Sequence, residues 1–391
     1  MKRRRNRNMR LEDAIDEYTS FVGTPSYETS VRSMFSRAEP FLENRRATTV
    51  GDITVRDCRE FAKELKRSVD DGEISKSTSV TYYESFRAWL SFCVRDEMID
   101  DNPAAKRRAE EPLPEPNQEK TQQFWSKEHR EFILDAADDQ AADAMDEIES
   151  SGWAPSFRNR ALTYVLSYSG SRITETVASS RDEERNGIRW TDVDLEEGAI
   201  RVFGKNREYE AMQLPSPAAA VLAEYKQIVD PASEKWPVFP SGSPPHLYEA
   251  ARQQLADRGL DEDERAEVLD GRDIYDVFRE ETLIPPSLTG SGFRYGFWHD
   301  FVDEYGLHID GERPKFHAAR RGLGDELYRE NPRLAQSALR HNDLRTTHKS
   351  YSHIQASETA EEVDEMMDVE EPRGFLQDDE DGEDGEAGAS D

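Results

Sequence analysis

The chain has 391 residues, 36% of them apolar and 9% aromatic, enough to bury real cores and, at this length, to build two domains. Fifty-one basic against 82 acidic residues give a formal net charge of −31, a balance that by itself argues against a nucleic-acid partner. No run approaches the roughly 20 apolar residues of a membrane-spanning helix, and the start, Met1-Lys2-Arg3-Arg4-Arg5, lacks the apolar segment of a signal peptide, so no membrane is expected and the expected location is cytoplasmic.

Residues 1–10 read as a basic arm in which Lys2, Arg3, Arg4 and Arg5 are candidates for phosphate contact, the plain alternative being a solvated start. From Leu11 the apolar residues recur at helical spacing: Leu11, Ala14, Ile15, Tyr18; then Tyr27, Val31, Met34, Phe35; then Cys58, Phe61, Leu65; then Val80, Tyr83, Leu90, Cys93. Four amphipathic helices follow from this. Cys58 and Cys93 lie inside these patterns without close-spaced partners, so they read as small core residues rather than a disulfide or a thiolate metal site. Ile99-Asp100-Asp101-Asn102-Pro103 stops the fourth helix and closes a helical domain over 11–103. Residues 104–122 hold Lys106-Arg107-Arg108 and then Pro112, Pro114 and Pro116, a stiff, exposed linker whose three bases are further candidates for DNA contact.

The second domain, 123–370, opens with a helix capped by Ser126, and helical patterning continues through Arg158 to Tyr168. Gly170 breaks it and a new helix begins near Arg172. A polar, insertion-like stretch from Ser179 to Asn186 precedes a hairpin: Ile200 and Val202 alternate on one strand, Gly204-Lys205-Asn206-Arg207 turns, and Met212 and Leu214 alternate on the return. Ser216-Pro217 starts another helix with cap and first-turn proline in order. Residues 250–290 are acidic and carry no functional reading. Thr359-Ala360-Glu361-Glu362 is a capping-box pattern opening a helix to about Met367, whose apolar stripe is expected to dock on a neighbouring protomer or on its own domain. Residues 371–391 read as an acidic disordered tail.

The acidity extends beyond that tail. Gln377 to Asp391 carry eight acids and no base, and without them the rest still holds −23. Only 12 of the 51 basic residues are lysine. A lysine-poor, acid-rich composition resembles that of proteins from organisms with near-saturating cytoplasmic salt, so a halophilic protein is expected. At ~1 M salt the Debye length is about 3 Å, which screens repulsion from DNA and removes the objection raised by net charge. An acidic solvating protein or nucleic-acid mimic is the competing reading.

Taken singly, each polar residue here has a bland explanation. Order and context change that: Gly170-Ser171-Arg172-Ile173-Thr174-Glu175 opening a helix, a hairpin-tip Lys205, His317-Ala318-Ala319-Arg320, Leu339-Arg340-His341, then Thr346-Thr347 and Tyr351-Ser352-His353. The set resembles the tyrosine recombinase, or phage integrase, family over nearly the whole chain, since the four-helix segment ending in Asn-Pro-Ala is similar to that family's core-binding domain. The resemblance implies a mainly α fold with a small antiparallel β-sheet in the catalytic domain, behind an N-terminal helical, SAM-like core-binding domain. Carried over by residue, Arg172 matches the first catalytic arginine, Glu175 its supporting acid, and Lys205 the hairpin lysine. His317 and Arg320 match the His-x-x-Arg box, His341 the Leu-Gly-His histidine, and Tyr351 the nucleophile. The chain departs from the pattern at Ser171 (usually leucine), Arg321 (often histidine) and Arg340 (glycine), and Tyr351 follows His341 by ten residues rather than nine.

The chemistry asks for such a set. Two guanidiniums stabilise the charge that grows on a phosphodiester under attack, a role for Arg172 and Arg320. A tyrosine hydroxyl, with an ordinary pKa near 10, needs help to lose its proton, and His317 is the candidate base. Lys205 would protonate the leaving oxygen, His341 would hydrogen-bond the phosphate, and Glu175 would orient its neighbours. The family implies double-stranded DNA as partner, a homotetramer on DNA, and no metal, ATP or small-molecule cofactor. Zinc at His341, His348 and His353 is the alternative for those histidines, but neither interval is an i, i+4 pair and no cysteine is near. A topoisomerase IB-like relaxing enzyme and a non-catalytic DNA-binding regulator are the rival functions.

Overall fold

The computed structural model describes residues 9–115, 122–145, 155–343 and 345. Lys2 to Arg5, Tyr351, His348, His353, the expected helix over 359–367 and the acidic tail therefore lie outside the described residues. The chain divides into two compact units, Met1–Arg321 and Gly322–Asp391. Within the first unit two hydrophobic cores form.

The N-terminal core is built by α1 (Leu11–Phe21), α2 (Pro25–Asn44), α3 (Val55–Asp70) and α4 (Lys76–Arg95), the four helices that periodicity predicts. Leu11, Ala14, Ile15 and Tyr18 are buried on one face of α1. Helix α2 starts just before its first apolar residue because Thr24 accepts the Tyr27 N–H and Pro25 occupies the first turn. Helix α3 starts at a capping box in which Asp57 accepts the Thr54 N–H at 3.0 Å and is also bound by Arg45 at 2.8 Å. Phe61, Phe86 and Trp89 pack as tilted rings through the centre, at 5.0 and 5.7 Å between ring centroids. Cys58 and Cys93 are both buried and free.

This core reaches past Pro103. Ala104 and Ala109 are fully buried in it, and a short helix α5 (Arg107–Glu110) packs there, its Glu110 bound by Arg87 at 2.6 Å. The first part of the expected linker is thus folded, because Asn102 caps the turn after α4 by accepting the Ala104 and Ala105 N–H groups. Lys106, Arg107 and Arg108 remain exposed.

The second core runs from Trp125 to Ala319. Among the described residues the stretch from Ser126 to Tyr168 holds α6 (Lys127–Asp143) and α7 (Pro155–Ser169), with Ser126 capping α6 as expected. After α8 (Ile173–Thr176), the polar stretch is not a loop: it makes the ribbon β1 (Ala178–Ser179) and β2 (Asp182–Asn186). Strands β3 (Val193–Asp194), β4 (Ala199–Phe203) and β5 (Tyr209–Gln213) form an antiparallel sheet in that order, with Ile200 opposite Met212. Helix α9 (Ser216–Val229) has Pro215 at its cap position, so Ser216 is the first helical residue and not the cap. The acidic region folds into α10 (Pro244–Asp257), α11 (Glu262–Leu269) and α12 (Ile274–Glu280), whose Leu247, Ala251 and Phe278 enter the core. Helix α13 (Gly290–Phe293) passes through a π turn, Arg294–Trp298, into α14 (His299–Glu304). Helix α15 (Phe316–Glu330) carries the His-x-x-Arg box, and α16 (Pro332–Ala338) follows in the second unit.

Candidate active site

Gly170 ends α7 with φ +65°, a left-handed conformation that glycine adopts at no steric cost. The carbonyl of Gly170 accepts a hydrogen bond from the Arg320 guanidinium, which is only 2% exposed. The break between helices therefore does more than stop α7, because it supplies an acceptor that holds the second arginine.

Arg172 sits at the N-cap of α8. Its backbone N–H donates to Glu175 Oε2 at 2.9 Å and its Nη1 donates to Glu175 Oε1 at 2.6 Å. The Glu175 carboxylate is buried while the Arg172 side chain keeps 30% of its surface open. A carboxylate at a helix N-terminus also meets the positive end of the helix dipole. Glu175 thus binds both the backbone and the guanidinium of Arg172.

His317, one turn before Arg320 on α15, lines a cavity of about 730 Å³ with Arg172, Arg294, His299, Arg313 and Lys315. The residue is exposed, with part of its ring's hydration lost to the surrounding protein atoms. That partial desolvation, followed by the positive charges of Arg321, Arg320 and Arg172, lowers its pKa from 6.5 to about 4. The imidazole is neutral at pH 7 and able to accept a proton. Buried Gln123 holds the approach to this box: its Nε2 donates to the carbonyls of Ile309 at 3.2 Å and Arg313 at 3.3 Å, and its Oε1 accepts the Lys315 N–H at 2.7 Å.

Lys205 is exposed in the turn between β4 and β5, which the Gly204 N–H closes by donating to the Glu208 carbonyl at 2.8 Å. It lines a second cavity, of about 430 Å³, together with Arg172, Glu175, Arg181, Arg185 and Arg207. Arg172 borders both cavities, so the structure sets Glu175 and Lys205 on one side of it and His317 on the other, while Arg320 lines neither cavity and is buried on the Gly170 carbonyl. Arg185, Arg294 and Gln123 belong to this surround and had no signal in the sequence beyond residue type.

In the second unit, α16 ends in a Schellman turn. The Arg340 N–H donates to Ser337 O and the His341 N–H to Gln336 O, both at 3.0 Å, with Arg340 at φ +52°. This turn sets the backbone of His341 and holds Arg340 in the left-handed region that glycine adopts most readily. Among the described residues no group of three or more His, Cys, Asp or Glu side chains stands ready to hold a metal, and no helix is long and apolar enough to cross a membrane.

Comparison with solved structures identifies the fold. A Tn1549 transposon integrase bound to transposon right-end DNA superposes with a TM-score of 0.54 at 14% identity, covering 92% of this chain and 100% of that one. A lambda integrase dimer bound to a COC′ core site gives 0.53 at 15% identity, covering 88% and 78%. In sequence, the tyrosine recombinase XerC of Halalkalibacterium halodurans is 27% identical over 166 residues, 42% of this chain and 46% of its own length. The chain thus spans about half the length of the curated relative it matches. No family model matches the chain. The fold is mainly helical with small antiparallel sheets and matches the tyrosine recombinase catalytic fold. In sequence and in fold the chain is similar to tyrosine recombinases.

Proposed function

We propose that the protein is a site-specific DNA recombinase that cuts and rejoins duplex DNA through a 3′-phosphotyrosyl intermediate. The Tyr351 hydroxyl oxygen attacks phosphorus and forms the new P–O bond while its proton passes to His317. The bond from phosphorus to the 5′ oxygen breaks, and that oxygen takes a proton from Lys205. Arg172 and Arg320 stabilise the charge on the non-bridging oxygens, Glu175 orients Arg172, and His341 hydrogen-bonds the same phosphate. The phosphotyrosine conserves the bond energy, so the reverse attack by a 5′ hydroxyl rejoins a strand without ATP or metal. The observation that carries this reading is Arg172, clamped by Glu175 and bordering both the cavity of His317 and that of Lys205.

Two active protomers on each of two sites make the working form a homotetramer on double-stranded DNA. The arm with Lys2, Arg3, Arg4 and Arg5, and the exposed Lys106, Arg107 and Arg108, contact the backbone; the protein works in a cytoplasm of high salt.

Tyr351→Phe is expected to keep specific DNA binding and to lose all covalent protein–DNA product on a nicked suicide substrate. Persistent covalent product would remove Tyr351 from its role. Exchange of strands between two differently marked duplexes distinguishes recombination from relaxation of supercoils.

A further inference from the structure

The polar stretch between α8 and the three-stranded sheet takes no part in the chemistry above, yet it grips the element that carries Lys205. Arg185, on β2, has a side chain only 13% exposed. Its Nη1 donates to the carbonyl of Phe203 at 2.9 Å and to that of Thr174 at 3.3 Å, and its Nη2 donates to the carbonyl of Gly204 at 2.8 Å. Phe203 and Gly204 immediately precede Lys205; Thr174 lies two residues after Arg172. One guanidinium therefore joins the backbone that carries Lys205 to the backbone that carries Arg172.

The same ribbon holds the far side of the turn. Arg207 donates to Asp182 Oδ2 at 3.0 Å and also pairs with Glu184, while Asp182, 6% exposed, faces Arg185 Nε at 3.5 Å. Both guanidiniums stack near the Phe203 ring, at 5.4 Å for Arg185 and 5.8 Å for Arg207. A lysine side chain has many rotamers, and the reach of its ammonium is defined only if its Cα is. A planar guanidinium spans neighbouring carbonyls with fixed geometry, which an ammonium does not.

We propose that Arg185 is a positioning residue for strand cleavage, fixing the Lys205 backbone relative to Arg172 so that the ammonium meets the leaving oxygen of the phosphate that Arg172 holds. The inference rests on the reading of Lys205 as the general acid. A bridging 5′-phosphorothiolate tests both, because a thiolate leaving group needs no proton. Single-turnover cleavage of ordinary and phosphorothiolate suicide substrates is compared for the full-length wild type, Lys205→Ala, Arg185→Ala and Arg185→Lys.

Arg185→Ala is expected to slow cleavage of the ordinary substrate by about 10- to 100-fold and to cleave the phosphorothiolate within about threefold of wild type, with DNA binding unchanged. Arg185→Lys, which keeps the charge and loses the fork, gives the same selective pattern and covers the case in which the alanine variant does not fold. Equal impairment on both substrates, no impairment on either, or failure of both variants to fold makes Arg185 a structural residue and overturns the proposal. If Lys205→Ala itself is not rescued, the general-acid reading fails. If Lys205→Ala is rescued and the Arg185 variants are not, only the inference about Arg185 fails.

Discussion

His317 shows how one side chain's state is set by its neighbours. Loss of hydration and then the charges of Arg321, Arg320 and Arg172 oppose its protonation, and Glu175 offsets them only in part. A chemical-shift titration of the histidine rings, assigned with His317→Gln, should place its midpoint near 4 rather than 6.5. Arg321→Ala should move that midpoint upward, since removing a nearby positive charge eases protonation. The folded pKa lies below the unfolded one, so between these values the unfolded chain binds a proton that the folded His317 refuses. The stability this group contributes is therefore complete above about pH 6.5 and is lost as pH falls toward 4. A wild-type midpoint at or above 6.5 would contradict the arrangement of arginines around the ring.

A helix end can hold a residue in a conformation that its side chain disfavours. At the C-terminus of α16 the Schellman turn needs a left-handed residue, and Arg340 supplies it at φ +52°. A residue with a Cβ pays about 1 kcal/mol there relative to glycine. Arg340→Gly is accordingly expected to raise stability by ~1 kcal/mol in urea or thermal melts, with cleavage activity retained. A fall in stability of that size would mean that contacts of the Arg340 side chain outweigh the backbone term. The β1–β2 ribbon is the contrasting case, an element whose short backbone pairing is reinforced by side chains: only Asp182 of β2 is buried, sealed by Arg185 and Arg207.

Across the whole molecule the net charge is −31, while the cavity that Arg172 and His317 share also carries Arg294, Arg313 and Lys315 against one acid, Glu312. Local and global fields thus have opposite sign. Dilution from molar to ~0.1 M salt lengthens the Debye length from about 3 to about 10 Å, letting acidic surfaces repel one another and DNA. An ordinary DNA-binding protein neutralising Z phosphates loses affinity with a log–log slope near −0.9Z as salt rises. Here that loss competes with relief of repulsion, so specific binding should peak at high salt or depend on it weakly, and the melting temperature should rise with salt. Melts and binding isotherms across a potassium chloride series test this. Tightest binding and highest melting temperature at low salt would refute adaptation to salt and leave the recombinase reading standing.

What could be read from the sequence alone was what residue type and local spacing control. The four N-terminal helices followed from burial of every third or fourth residue, and Arg172, Lys205, His317 and Arg320 were singled out by the resemblance of their ordered motifs to the tyrosine recombinase family. The tertiary structure alone decided which partners hold them. Arg320 finds the Gly170 carbonyl 150 residues away, Gln123 finds the Arg313 carbonyl 190 residues away, and Arg185 binds three carbonyls at once. Ala109 enters a core from a stretch whose prolines and charges spell a linker. Ser179 to Asn186 lacks the apolar alternation that marks a strand, because its one buried side chain is an aspartate neutralised by arginines brought in by the fold. Backbone carbonyls are identical at every position, so a bond to one leaves no mark in the sequence, and only the folded chain determines which carbonyl a side chain reaches.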